Sequence, residues 1–406
     1  MQAITRKRQL RSSDPLWSHT RGIAVPTQRS LPDGDVDVLI VGAGIGGALM
    51  ATALLDRGLN IVLVDRRKPV HGSSMASTAM IQHEIDVPLH RLAAQRGVAA
   101  ARRIWQRSAR AVESLTTLVG SLGIDCRMQR KKTLYLAGDA YGARALRSEA
   151  EARAEAGLTA ELKGAAELRQ AFGMDRTAAI VSDVSASANP AQLTAGLLRL
   201  AGSRGVSIVE GVEITDIRSV GGDNVVATSK GDLVRARHVV FCTGYEFLEA
   251  VAHKSHAIVS TWAMATRPHH PRPEWLKDYL VWEGADPYLY FRSTPDGRIV
   301  VGGEDEDSAD AFRNEAKLAA KSARLRRKLK ALIGFDIEEP DYVWAAAFGV
   351  TADGLPMIGR VPGFRNVHAA MGYGGNGITF SQIAAEIIAA GILGHDDTDA
   401  TLFSFR

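Results

Sequence analysis

Cysteine is scarce in this chain. Only Cys126 and Cys242 occur, far apart and without a C-x-x-C pair. That spacing excludes a disulfide framework and a thiolate metal site, and no metal is expected. Cys242 closes the apolar run Val239-Val-Phe-Cys242 and reads as core. Long hydrophobic runs are missing too, and none approaches the ~18 apolar residues of a membrane helix. The first 30 residues are basic (Arg6, Lys7, Arg8, Arg11, Arg21 and Arg29 against Asp14) but lack the apolar stretch of a secretory signal. The expectation is a cytoplasmic protein with no membrane span. Nor is there an excess of one charge: 49 Lys and Arg against 45 Asp and Glu leave +4, which gives no reason to expect a nucleic-acid partner. No internal repeat or low-complexity tract is visible.

What is present is organised around glycine. Asp35 to Met50 reads as a buried strand, a tight turn and a helix start, with Gly42, Gly44 and Gly47 in G-x-G-x-x-G spacing and Ile45 and Gly46 opening the helix. A second strand, Asn60 to Asp65, ends in an acid 23 positions after Gly42, followed by Arg66. This is a dinucleotide fingerprint in its full context. Gly42 permits the turn, Gly44 admits a pyrophosphate, and Gly47 lets helix and strand pack closely. The helix N-terminus offers free N–H groups to the phosphates, and Asp65 accepts from a ribose. The motif alone leaves NAD, NADP and FAD open.

A second glycine-rich junction, Gly372-Tyr-Gly-Gly-Asn-Gly377 followed by Ile378 and Thr379, turns a strand into a helix. Gly372, Gly374, Gly375, Asn376 and Gly377 let backbone lie against a flat or anionic ligand, and the helix end would stabilise a reduced flavin. The alternative is a glycine hinge. Cys242-Thr243-Gly244 ends a strand and allows close approach to a nucleotide, or is a plain turn. Ser73, Ser74, Ser77 and Thr78 are donors for phosphate or flavin, or helix caps. Ile214, on a strand after Gly211, is assigned to the same cofactor site.

These elements together resemble the FAD-dependent oxidoreductases of the D-amino-acid oxidase, glycine oxidase and sarcosine oxidase type, over about residues 36 to 393. The resemblance also rests on Thr351-Ala-Asp-Gly-Leu-Pro-Met-Ile-Gly359. It implies an α/β fold with an α+β second domain: a Rossmann-like FAD-binding domain and a discontinuous antiparallel-sheet substrate domain. The expected division is a 1–34 arm, FAD-binding segments 35–120, 176–252 and 345–406, and substrate segments 121–175 and 253–344. The implied reaction takes hydride from the CH–NH group of a small amine or amino acid-like molecule, giving an imine. A flavin hydroxylase of related fold and a non-catalytic flavoprotein subunit are the alternatives.

Departures from the family narrow the reading. The arginine that grips a substrate carboxylate in glycine oxidase-like members is replaced by Phe348, which cannot form a bidentate clamp. Arg292 is another candidate for that task. The cysteine or histidine that attaches FAD covalently in relatives is absent near Phe348 and Ala76, so non-covalent FAD is expected. Val300 stands where sarcosine oxidases carry the lysine that promotes reaction with oxygen, which leaves the electron acceptor open. His83, Tyr290 and Trp344 are the candidate catalytic residues, with Trp262 and Tyr373 as further cavity candidates; His83 would deprotonate an ammonium.

Overall fold

The computed structural model describes residues 4–251 and 256–406. Among these residues the strands form two sheets. One has eight strands, built on the parallel set Val367–Met371, Leu233–Phe241, Val36–Val41, Ile61–Asp65 and Ser207–Glu210. Its central strands read VDVLIV and IVLVD, the near-continuous apolar pattern of strands covered on both faces. Helices Ile45–Ala53, Pro190–Ser203 and Gly377–Ile392 pack together against it. The strand Asp223–Thr228 extends the sheet as a hairpin with Ile214–Val220.

The other sheet has ten strands, in the order Arg11–Ser12, Tyr342–Thr351, His256–Ala265, Ile299–Glu306, Leu289–Ser293, Tyr279–Gly284, Gln129–Ala137, Ala178–Ser187, Met80–Gln82, with Glu161–Gly164 paired onto Ala178–Ser187. It is antiparallel except where Tyr279–Gly284 meets Gln129–Ala137. Helix Glu315–Ile333 lies against His256–Ala265 and Ile299–Glu306. The two-layer α/β and α+β architecture agrees with the sequence expectation.

Two details differ from that expectation. The spacing of Leu92, Ile104, Val112, Leu115 and Leu118 predicts one long helix after Pro88 to about Val119, and the chain forms two, Leu89–Arg96 and Val98–Ser121, because Gly97 takes φ +84° between them. The sheets also cross the expected segment boundaries. Ala178–Ser187 lies in the ten-stranded sheet, although 176–252 was assigned to the nucleotide unit, and Tyr342–Thr351 runs unbroken through the boundary at 345. Of the two courses the sequence leaves open for the arm, a tail or packing across the surface through Leu16-Trp17, residues 4–34 take the second: Arg11 and Ser12 pair with Ala346 and Ala345, and Leu16 and Trp17 are buried. Among the described residues no helix is long and apolar enough to cross a membrane.

Candidate functional site

One cavity of about 690 Å³ lies between the two sheets and takes lining from both glycine turns. On the parallel-sheet side the first turn is shaped by contact with the neighbouring strand end. Gly42 adopts φ +115°, and a Cβ there would lie 2.4 Å from the Cys242 carbonyl oxygen. A Cβ on Gly47 would lie 1.8 Å from the Gly42 oxygen. Both positions therefore exclude any side chain. Gly42, Gly44, Ile45 and Gly46 line the cavity, whereas Gly47 works behind it. The Ile45 N–H donates to the Ser74 hydroxyl at 2.9 Å, so the helix start is tied to the serine loop.

Asp65 lines the same wall and accepts from the Ala43 and Arg67 N–H groups, each at 2.7 Å. Burial raises its carboxyl, opposed by these two donors. Both oxygens keep lone pairs for a hydroxyl donor. Arg66 and Arg67 pair with the Glu246 carboxylate, Arg67 through two contacts of 2.9 Å. Burial works against that carboxylate, but the Arg67 hydrogen bond, the Arg8 N–H and the two positive charges hold it below its ordinary value. Ile214, Thr243 and Gly244 complete this wall.

The serine loop is held by its carbonyls. Trp344 Nε1 donates to Ala76 at 2.9 Å, Trp17 Nε1 to Ser77 at 2.6 Å, and Arg292 Nε to Thr78 at 2.6 Å. Three side chains from distant segments thus fix three successive residues, and Ser73, Ser74, Ser77 and Thr78 all line the cavity. Two expectations are corrected here. Trp344 and Arg292, each 1% exposed, are absent from the lining. Arg292 spends its donors on the carbonyls of Thr78, Ser293 and Ala188, which leaves no fork for a carboxylate.

At the second turn Gly375, Asn376, Gly377 and Ile378 line the cavity. Gly372, Gly374 and Thr379 shape the turn from behind. A Cβ on Gly372 would strike Thr351, one on Gly374 would lie 2.4 Å from Asp86 Oδ2, and the Thr379 hydroxyl donates to the Gln82 carbonyl at 2.9 Å. Asp86 accepts from the Gly375 N–H at 3.1 Å, its surface opens into the cavity, and burial of the group raises its carboxyl.

His83 is a further correction. It is 1% exposed and absent from the lining. Its Nδ1–H donates to the Val184 carbonyl at 2.8 Å, and its ring meets Trp105 edge-on. The chain direction after Met80–Gln82 sends it toward helix Val98–Ser121, away from the cavity. Trp262 is likewise buried outside the lining, beneath the Lys321 ammonium at 4.6 Å.

The ten-stranded sheet contributes Tyr290, as expected, together with Val259, Thr261, Tyr288, Asp305, Ala347 and Phe348. Asp305 is placed by a β-bulge. Ser260 pairs with Glu306 and Trp262 with Gly303, so Glu304 and Asp305 together oppose Thr261. Glu304 takes φ +59° and turns out to Lys321, Arg324 and Lys328, while Asp305 faces the cavity. The Tyr288 hydroxyl donates to Asp305 Oδ2 at 2.6 Å, and the Thr261 hydroxyl supports the same carboxyl. Burial raises the Asp305 carboxyl to about 6, helped by Asp86 and opposed by the Thr261 and Tyr288 hydroxyls and by Lys321. Tyr245 lies between Phe348 and Tyr373, with ring centroids 6.4 and 6.3 Å away. Sequence reasoning missed Asp86, Tyr245, Tyr288 and Asp305. Tyr245 directly follows the Cys242-Thr-Gly244 turn, and the Tyr288-Leu-Tyr290 alternation was the available signal for Tyr288.

The family model described as "DAO: FAD dependent oxidoreductase" matches residues 37–390. The chain is similar to a putative Rieske 2Fe-2S iron-sulfur protein, YhfW, of Bacillus subtilis (strain 168), with 25% identity covering 88% of this chain and 68% of that protein. It is also similar to the probable oxidoreductase OrdL of Haemophilus influenzae, with 22% identity over 89% and 84% of the two chains. Among solved structures, glycine oxidase from Geobacillus kaustophilus superposes with a TM-score of 0.76 at 22% identity, covering 92% of this chain and 99% of that one. At that identity the likeness is one of fold.

Proposed function

Because the chain belongs to the DAO family of FAD-dependent oxidoreductases, we propose that it oxidises the CH–NH group of a small amine or amino acid-like molecule to an imine, using FAD held without a covalent bond. The observation that carries this reading is the single cavity joining both glycine turns, the serine loop and the acidic, aromatic face of the ten-stranded sheet. Its residues fit FAD. Asp65 would take the ribose, Gly42 to Gly46 with the Ile45 helix start the pyrophosphate, and the turn around Gly375 to Ile378 the ring edge. When bound, FAD would supply a ring that accepts the hydride, and with it the two electrons of the oxidation. Non-covalent attachment is supported by the lining. Among the described residues no histidine lines the cavity, and its only lining cysteine, Cys242, has its thiol pushed up to about 12 by burial.

The chain's own contribution is to bind, orient and deprotonate. Tyr245, Tyr290, Phe348 and Tyr373 give an aromatic enclosure, and Asp86 and Asp305 give it negative charge. That combination suits an ammonium and repels a carboxylate. Arg91, the lining guanidinium nearest this region in sequence, is exposed and stacked over Tyr141 at 4.7 Å. An amine without a carboxylate on the reacting carbon fits better than an α-amino acid. The Asp305 carboxyl, which lines the cavity, is the group proposed to take the ammonium proton, leaving the neutral amine that loses hydride.

The cofactor half of the proposal is tested on purified protein. It should show flavin absorption bands, and acid precipitation should leave the yellow colour in solution. A colourless protein that binds NADH, or colour remaining with the precipitate, contradicts it.

A further inference from the structure

Residues 4–17 precede the family match, yet they cross the cofactor cavity from one sheet to the other. The crossing starts beyond the parallel sheet, where Thr5 forms an antiparallel bridge with Leu248. The Glu249 N–H donates to the Ile4 carbonyl at 2.7 Å, and the Arg6 N–H donates to Phe247 at 2.9 Å. The Arg8 N–H donates to Glu246 Oε1 at 2.8 Å, while Arg66 and Arg67 both donate to the Arg8 carbonyl, at 3.2 and 2.9 Å. Arg8 is thereby locked into the ion cluster beside Asp65. The segment then reaches the other sheet. The Ala347 N–H donates to the Leu10 carbonyl at 3.0 Å, and Arg11–Ser12 covers the edge of Tyr342–Thr351. It ends with Trp17 donating to Ser77 of the serine loop. Thr5 and Leu10 line the same cavity as Gly42 and Asp65.

We propose that this segment is part of the FAD site, a strap over the nucleotide half of the cavity that must detach before FAD enters or leaves. The inference rests on the FAD reading above. Glu246, Arg66, Arg67, Ala346, Ala347 and Ser77, which hold the arm from Arg8 onward, all line the cavity, so closing the strap and holding FAD favour one another. By linkage, FAD must stabilise the strap as much as the strap stabilises FAD.

Two measurements on FAD itself test this. In the first, FAD-loaded full-length protein and a variant lacking residues 1–13 are diluted, and release is followed by the recovery of free-FAD fluorescence. The variant should release FAD at least about tenfold faster, the effect of ~1.4 kcal/mol in a barrier, and equal rates overturn the proposal. The second uses the full-length chain, so it stands even where the truncated chain fails to fold. Trypsin cleavage at Arg6 to Arg11 should be slowed by FAD more than cleavage elsewhere, and equal slowing at all sites overturns the proposal. A full-length chain that takes up no FAD overturns both this inference and the proposed function, whereas firm FAD binding with no arm effect removes only the strap.

Discussion

The Asp305 carboxyl is set between two demands. The bulge aims it into the cavity, and burial there raises it to about 6. In the unfolded chain a carboxyl of this kind loses its proton near pH 4. The sign follows from linkage. Because the folded value is the higher one, the stability this group contributes is full below about pH 4 and is lost as pH rises through about 6. Above that the ionised group costs the fold about 3 kcal/mol. Asp305→Asn keeps the shape and removes the charge. It is expected to raise the melting temperature at pH 8 and to lower kcat/KM for amines at least about tenfold. It should also remove the acid limb near pH 6 from the pH–rate profile of the parent. An unchanged profile in the variant would assign the limb elsewhere. At the opposite wall, Gly47→Ala places a methyl group 1.8 Å from the Gly42 oxygen. A loss of about 1–3 kcal/mol in chemical denaturation is expected, with reduced FAD content.

The serine loop shows how elements are held for function by residues outside the cavity. Trp344 belongs to the strand Tyr342–Thr351 yet fixes Ala76. Trp344→Phe keeps the ring packing and strands one buried carbonyl, a cost of about 1–3 kcal/mol. FAD affinity should weaken several-fold, measured by fluorescence titration, with the far-UV circular dichroism unchanged. This also explains which elements the sequence disclosed. Gly42, Gly47 and Asp65 were legible because backbone contact leaves no other choice of residue at the glycines and because the acid ends a strand of fixed spacing. Trp344 and His83 were placed in the right region and on the wrong side, since neither periodicity nor composition says which face of a strand end meets a cavity. Ala178–Ser187 went unseen because its run AAIVSDVSAS is small and polar, without the β-branched alternation that announces a strand. Asp305 depends on one extra residue in a ladder, for which Gly302-Gly303 inside the strand was the available signal.

Across the whole molecule, two sheets built from interleaved stretches of chain enclose one cavity, and each supplies a different chemistry. The parallel sheet brings strand ends, glycines and a helix N-terminus, suited to a dinucleotide. The mixed sheet brings rings and carboxylates, suited to a cationic amine. The engagement of Arg292 by carbonyls and the two acids facing the cavity both support the substrate class proposed above. The most direct test is anaerobic mixing of the FAD-loaded protein with paired compounds, each amine set beside its counterpart carrying a carboxylate on the reacting carbon, while flavin absorbance is followed. The account predicts bleaching by amines, with the carboxylated partners slower. Bleaching by the α-amino acids alone, or by no member of a broad panel, would contradict it.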